Sequence, residues 1–247
     1  MLLTVLMLFT GIPASAYDFI SDGIPCNILS EEDRTVSVTY RDIPYKSWIS
    51  GDVVIPKKVI HDSRTYTVTA IGSHAFYICD EMTSITLPNS LTEIGDYAFY
   101  NCNKIASVTL PNSLTSIGEK TFSGCTSLTS ITLPNSLTSI GYLAFGGCPK
   151  LENINVETSN NAYSSIDGVL YDNGATTLIV CPQGKTSALK IPETLNSIGN
   201  DAFRNCKALT SITLPNSLTS IGNGAFCNCI YNHRTTKTNQ KYPSVNL

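Results

Sequence analysis

The chain has 247 residues, 42% of them hydrophobic and 14% charged, with a formal net charge of −3. This composition fits one or two folded domains with a continuous core and excludes a disordered chain. The slightly acidic balance argues against a nucleic-acid partner or a polybasic membrane patch, since both need concentrated Lys and Arg.

Residues Met1 to Ala16 read as a signal peptide. Leu2 to Phe9 form an apolar run, Pro13 breaks it, and Ala14-Ser15-Ala16 is a small-x-small cleavage site, so Tyr17 is the expected mature N-terminus. The run departs from the usual pattern in having no Lys or Arg before it. It is too short to span a bilayer, and no later segment reaches the ~18 apolar residues a membrane helix needs. Residues 17–66 follow, with strand-like runs at Val36-Ser37-Val38-Thr39-Tyr40 and Asp52-Val53-Val54-Ile55-Pro56. An N-terminal β cap shielding the first unit of what comes next is the expected role.

From about Thr67 to Cys229 a 23-residue unit repeats. Phe76, Phe99, Phe122 and Phe145 share that interval, as do Phe203 and Phe226; Cys79, Cys102, Cys125, Cys148, Cys206 and Cys229 keep the same register. Gly72, Gly95, Gly118, Gly141, Gly199 and Gly222 follow it too. A period between 20 and 29 with Leu/Ile at fixed offsets is the mark of a leucine-rich-repeat solenoid. The expected architecture is a right-handed coil rich in short β-strands, with one short helical turn per repeat.

Each position has a physical reading. Ser130-Ile131-Thr132-Leu133 alternates apolar with hydroxyl residues, predicting a strand with one buried face. Pro134-Asn135-Ser136 ends it, and Leu137 and Ile140 begin a second extended piece across the coil. Gly141 then allows a backbone conformation that a Cβ would resist. Ala144, Phe145 and Cys148 have the spacing of one inward-facing helical turn. A single unit cannot offset the entropy of ordering its own backbone, so stacking of neighbours is obligatory.

Between Phe145 and Phe203 the period breaks over an insertion at about 159–193. Asp167-Gly168 and Asp172-Asn173-Gly174 flank Val169-Leu170-Tyr171 and Thr177-Leu178-Ile179-Val180, which predicts a β-hairpin. Leu189-Lys190-Ile191-Pro192 re-enters the strand position. After Cys229, the register demands apolar residues where Asn232, Thr235 and Lys237 stand. Residues 230–247 therefore read as a polar tail that leaves the last coil uncapped, free to fray or to associate end to end.

The search for chemistry predicts no enzyme, cofactor or metal site. His61, His74 and His233 occupy unrelated repeat positions, without zinc-ligand spacing. Ser187-Ala188-Leu189-Lys190 matches a Ser-x-x-Lys motif, but it enters a strand instead of the helix that chemistry needs. The six register cysteines are expected to form an unbridged buried column, because in-register Cβ atoms stay further apart than a disulfide prefers. Cys26, Cys181 and Cys227 fall outside that register and are the expected reactive thiols.

Variation between copies marks a candidate ligand surface. Ser84/Thr86, Ser107/Thr109, Ser130/Thr132 and Ser211/Thr213 form nearly invariant hydroxyl columns, read as cross-strand pairing that stabilises the sheet. The residues around the Ala-Phe turn vary instead. Tyr77, Tyr97, Tyr100 and Tyr142 lie along this edge with Lys104, Lys120 and Lys150, and tyrosine is a favoured interface residue. Tyr77, Tyr97, Tyr100, Lys104, Lys120 and Tyr142 are the candidate ligand-binding residues.

The pattern S-I-G-x-x-A-F-x-x-C-x-x-L-x-x-I-x-L-P, with the Gly168-Val169-Leu170-Tyr171 insertion, resembles the BspA-like leucine-rich-repeat family of bacterial surface proteins. The likeness covers about Tyr17 to Cys229. It implies a bacterial, exported protein at the cell surface or secreted, and in some members an adhesin for an extracellular protein or glycan. A structural or self-associating surface scaffold without a specific ligand is the alternative.

Overall fold

A computed structural model describes residues 17–40, 49–186, 188–189, 191–209 and 211–229. Met1 to Ala16, Ser187, Lys190 and the tail after Cys229 lie outside the described residues. The signal-peptide, Ser-x-x-Lys and uncapped-end readings fall there.

The repeat folds as its pattern predicts on two faces. In Ser130–Leu133 the side chains of Ile131 and Leu133 are buried and Thr132 is exposed. This strand pairs in parallel with Ser107–Val108 before it and Asn153–Val156 after it. Across the coil, Arg64–Ile71, Glu93–Ile94, Ser116–Ile117 and Ser139–Ile140 form a second parallel ladder. Parallel pairing of short strands follows directly from stacking identical coils, because each strand meets the same strand of its neighbour.

The N-terminal residues extend the same ladders. Phe19–Ser21, Ile24–Ser30 and Thr35–Val38 run antiparallel to one another, and Thr35–Val38 then pairs in parallel with Arg64–Ile71. Gly51–Val54 pairs in parallel with Met82–Thr86, with Val53 opposite Ile85. The likeness of Asp52-Val53-Val54-Ile55-Pro56 to the repeat's own strand is thus a likeness of position. A hairpin of Lys58–His61 with Arg64–Ile71 was not legible in the pattern. Its turn places both Asp62 (φ 46°) and Ser63 (φ 61°) in the left-handed region, the geometry of a two-residue hairpin turn.

The helical turn at Ala-Phe-x-x-Cys is not present among the described residues. The segment is a chain of tight turns, with N–H to C=O bonds from Ala75 to Gly72, Tyr77 to His74 and Cys79 to Phe76. The remaining N–H groups point along the solenoid. His74 donates to the Asp96 carbonyl, Phe76 to Ala98 and Ile78 to Tyr100, at 2.8–2.9 Å. A neighbour one coil away offers acceptors at every second residue, so the backbone is satisfied without helical closure.

Gly141 also has a different reason from the one expected. Its φ is outside the left-handed region; what forbids a side chain is the coil before it. A Cβ at the equivalent Gly118 would lie 2.5 Å from the Asp96 backbone nitrogen. The glycine column is the line along which adjacent coils touch backbone to backbone.

Three side-chain columns tie the coils together. Phe76, Phe99 and Phe122 stack with ring centroids 5.3 Å apart and planes within 5°. Cys102, Cys125 and Cys148 each place Sγ 3.1–3.2 Å from the carbonyl oxygen of the previous coil's Phe. Ser90, Ser113, Ser136 and Ser217 donate to a carbonyl of the preceding coil at 2.5–2.6 Å. The hydroxyl columns at Ser84/Thr86 and Ser107/Thr109 are exposed; the serines after Pro-Asn hold the stack.

All nine cysteines are unbridged. Cys26 (0% exposed) and Cys181 (2%) are buried, so the expectation that they are reactive is corrected; Cys227 is half-buried. Burial pushes the Cys26 and Cys148 thiols up to about 12. A neutral thiol at neutral pH is a poor nucleophile.

The insertion forms a three-stranded antiparallel meander of Tyr163–Ile166, Val169–Asp172 and Thr177–Val180. Thr177–Val180 then pairs in parallel with Ser197–Ile198, and Leu189 bridges to Ile212, which restores the repeat. The apolar run Val169-Leu170-Tyr171 is buried on both faces. Leu170 belongs to the core that runs from Phe19 to Ile154, whereas Val169 and Tyr171 belong to a second core that continues to Ala225. Successive side chains of a strand point to opposite faces, so this one strand serves two cores.

Candidate functional site

The Ala-Phe turn carries the variable residues on a rigid frame. The second residue after each glycine is left-handed: His74 (φ 61°), Tyr97 (55°), Lys120 (48°), Leu143 (52°) and Asp201 (53°). Equal backbone geometry at a fixed stacking distance aims equivalent side chains the same way. Aromatic residues at these positions must therefore stack from coil to coil.

They do. His74 stacks on Tyr97 with centroids 5.0 Å apart and planes at 10°, and Tyr77 stacks on Tyr100 at 5.1 Å and 8°. Within a coil, His74 is tilted against Tyr77 and Tyr97 against Tyr100, at 5.4 and 5.7 Å. The four rings form a two-by-two cluster on the solenoid edge. His74 is exposed and the three tyrosines are half-buried.

Lys120 completes the cluster. Its Nζ lies 2.9 Å from the Tyr97 hydroxyl oxygen and 3.0 Å from Glu119 Oε1, and the Tyr97 hydroxyl reaches Glu119 at 3.3 Å. The ammonium is 5.1 Å from the Tyr97 ring centroid. The shorter contact is at the hydroxyl end, so a hydrogen bond describes it better than a charge above the ring face. The Tyr97 hydroxyl and then Glu119 hold the ammonium above its ordinary range, and Lys120 holds the Glu119 carboxyl below its own. Beside the cluster, an open trough of about 440 Å³ is lined by Glu93, Asp96, Glu119 and Tyr142 among others.

The structure thus brings Tyr77, Tyr97, Tyr100 and Lys120 together and sets two candidates apart. Lys104 pairs with Glu81 at 2.5 Å, on the segment leading into the strand. The Tyr142 hydroxyl donates to Asp201 Oδ2, and Asp201 also accepts from Arg204 at 2.9 Å. His74 and Glu119 are members that the residue-type argument passed over. The 23-residue register linking His74 to Tyr97 and Tyr97 to Lys120 was the signal that could have found His74.

Among the described residues there is no group of three or more His, Cys, Asp or Glu side chains arranged to hold a metal ion. None of their helices is long and apolar enough to cross a membrane. What the site offers is a stacked aromatic surface with one fixed cation and nearby carboxylates, suited to binding.

Coils of short parallel strands, stacked through columns of Phe, Cys and Gly, define the molecule as a leucine-rich-repeat solenoid. The chain belongs to the BspA-type leucine-rich-repeat family, whose repeat model matches residues 59–167 and 182–245 in six copies. Among solved structures, a leucine-rich repeat protein from Bacteroides ovatus is 30% identical with a TM-score of 0.63, over 87% of this chain and 58% of that one. A leucine-rich cell surface protein from Faecalibacterium prausnitzii is 27% identical with a TM-score of 0.51, over 89% and 75%. The pneumococcal vaccine antigen PcpA shares the fold at 21% identity and a TM-score of 0.61, over 86% and 68%. No curated protein sequence matches the chain.

Proposed function

We propose that this chain is an exported bacterial binding protein whose tyrosine edge recognises an extracellular protein or glycan. The observation that carries the reading is the ring cluster of His74, Tyr77, Tyr97 and Tyr100 with Lys120 at its margin. Pre-stacked tyrosines present contact area with little rotamer entropy left to lose on binding. The cluster sits at positions the repeat does not use for stacking Phe, Cys or Gly, so it is free to vary with the ligand. The F. prausnitzii relative, described as a cell surface protein, supports placing this chain at the surface too.

The test is a binding screen of the chain from Tyr17 onward against extracellular-matrix proteins and glycans, with Tyr77→Ser/Tyr100→Ser as the comparison. Binding that falls at least about tenfold in the double variant is expected, the scale of one interface hot spot. A ligand bound equally by both proteins would move the site elsewhere.

A further inference from the structure

The backbone ladder along the turns has one break, and the break has a defined chemistry. Its first rung runs from His74 N–H to Asp96 C=O, Tyr97 to Glu119, and Lys120 to Tyr142, and resumes from Asp201 to Asn223. Between these, the Leu143 N–H and the Asn200 C=O have no hydrogen-bond partner among the described residues. The second rung runs from Phe76 to Ala98, Phe99 to Thr121, and Phe122 to Ala144; it resumes from Cys181 to Ala202, leaving the Phe145 N–H without an acceptor among the described residues.

At Leu143 the cause is a shortened coil. Leu178 pairs with Ile198 as Ile117 pairs with Ile140, and Cys181 donates to Ala202 as Phe122 donates to Ala144. Only Ile179 and Val180 separate Leu178 from Cys181, where Gly118 to Thr121 separate Ile117 from Phe122. This coil is two residues short and lacks the outward bend that carries Tyr97 or Lys120 in its neighbours. The result is a notch of about 140 Å³ with Leu143 and Phe145 on one wall, Asn200 on the other, and Ile179, Val180 and Cys181 on the floor. Tyr142 reaches over it to Asp201.

We propose that the notch binds a short extended peptide by its main chain, which supplies the missing rung. Leu143 has the left-handed backbone of Tyr97 and Lys120, so its N–H points along the solenoid as theirs do. The walls belong to the coils on either side of the short one, and an extended chain lying beside strands takes ~4.8 Å to each neighbour. A single trans peptide unit presents its C=O to one side and its N–H to the opposite side. It accepts from Leu143 and donates to Asn200 at the same time. A carboxylate meets the donors and leaves the Asn200 carbonyl unmatched, and the apolar floor of Ile179 and Val180 suits Cα and Cβ groups better than sugar hydroxyls. The Tyr142 side chain, 52% exposed, gives up its hydrogen bond to Asp201 when the peptide enters. This site is separate from the four-ring cluster and stands independently of what that cluster binds.

The test titrates the full ¹⁵N-labelled chain with N-acetyl-pentaalanine amide and follows the backbone amides by NMR. Saturable shifts at Leu143 and Phe145 are expected, with Tyr97 and Lys120 unmoved. The same peptide N-methylated at its central amides is expected to bind at least about tenfold more weakly, the scale of one hydrogen bond. Val180→Trp, which fills the floor, should abolish the shifts; the comparison of the two peptides decides the matter even where that variant fails to fold. No saturable shift, equal binding of the N-methylated peptide, or equal saturation by acetate would each overturn the proposal.

Discussion

The Tyr142 hydroxyl donates a hydrogen bond to the Asp201 carboxylate, 59 residues further along the chain. The other inter-coil side-chain contacts of this edge join neighbouring coils, as Lys120 joins Tyr97 at 23 residues. Tyr142 skips a coil because the intervening one is short. Asp201, and to a lesser degree burial, raise the Tyr142 hydroxyl above its ordinary pKa. A raised folded pKa means that this contribution is fully present below the unfolded value near 10 and is lost as pH rises through the folded one. Tyr142→Phe should therefore lower the unfolding free energy slightly at pH 7, by less than about 1 kcal/mol given its exposure. The difference from wild type should shrink as pH rises above the unfolded value near 10 and through the raised folded one. A difference that persists undiminished there would show that the hydroxyl acts otherwise.

Phe122 is fully buried between Phe99 and Phe145. Phe122→Ala should cost ~3–5 kcal/mol by opening a cavity inside the column. Lys120→Ala, two residues away on the outer edge, should barely move the chemical unfolding midpoint. Equal shifts would reverse the assignment of inside and outside.

Glycine substitutions separate close approach from mere flexibility. Gly118→Ala should destabilise by ~1–3 kcal/mol or more, since its Cβ meets backbone that cannot yield without parting two coils. Gly174→Ala, whose Cβ would lie 3.4 Å from the Thr176 methyl, should be tolerated. Similar thermal melts for the two would undo the close-contact account.

The thiols should divide by depth. Without reductant, a thiol-specific reagent should find all nine cysteines in denaturant and rapidly modify only Cys227 and Cys229 in the native protein, as the other seven are buried. Burial raises the Cys26 and Cys148 pKa to about 12. Their stabilising effect is thus complete below the unfolded value of ~8.5 and is lost progressively as pH rises from there through about 12. Recovery of few thiols after denaturation would mean that bridges exist.

The repeat made the coil legible because each residue type answers to one neighbour, the same residue one period away. The strands at Ser130–Leu133 and Ser139–Ile140, the Phe column and the re-entry at Leu189 all follow from that register. The turn at Ala144-Phe145 was misread because helical spacing and tandem turns bury the same residues; only the next coil's carbonyls distinguish them. Val169-Leu170-Tyr171 could be read as a strand, yet nothing in it says that its two faces belong to different cores. Of the candidate site, the tyrosines were visible as residue types. The pairing of His74 with Tyr97 required reading down a column, and Lys104 and Tyr142 were drawn in by proximity in the chain when their partners, Glu81 and Asp201, lie elsewhere.

The divided strand at Val169–Asp172 has a mechanical consequence. A protein held at one end and pulled at the other carries load from coil to coil through its rungs, and between Leu143 and Asn200 rungs are missing. Force there passes through the hairpin and the side chains of Leu170 on one flank and Val169 and Tyr171 on the other. Single-molecule stretching should show a first rupture that separates the two halves at this seam, with the remaining coils peeling at higher force. The chain would then lengthen under shear before its aromatic edge gives way, as a fuse protects the circuit beyond it.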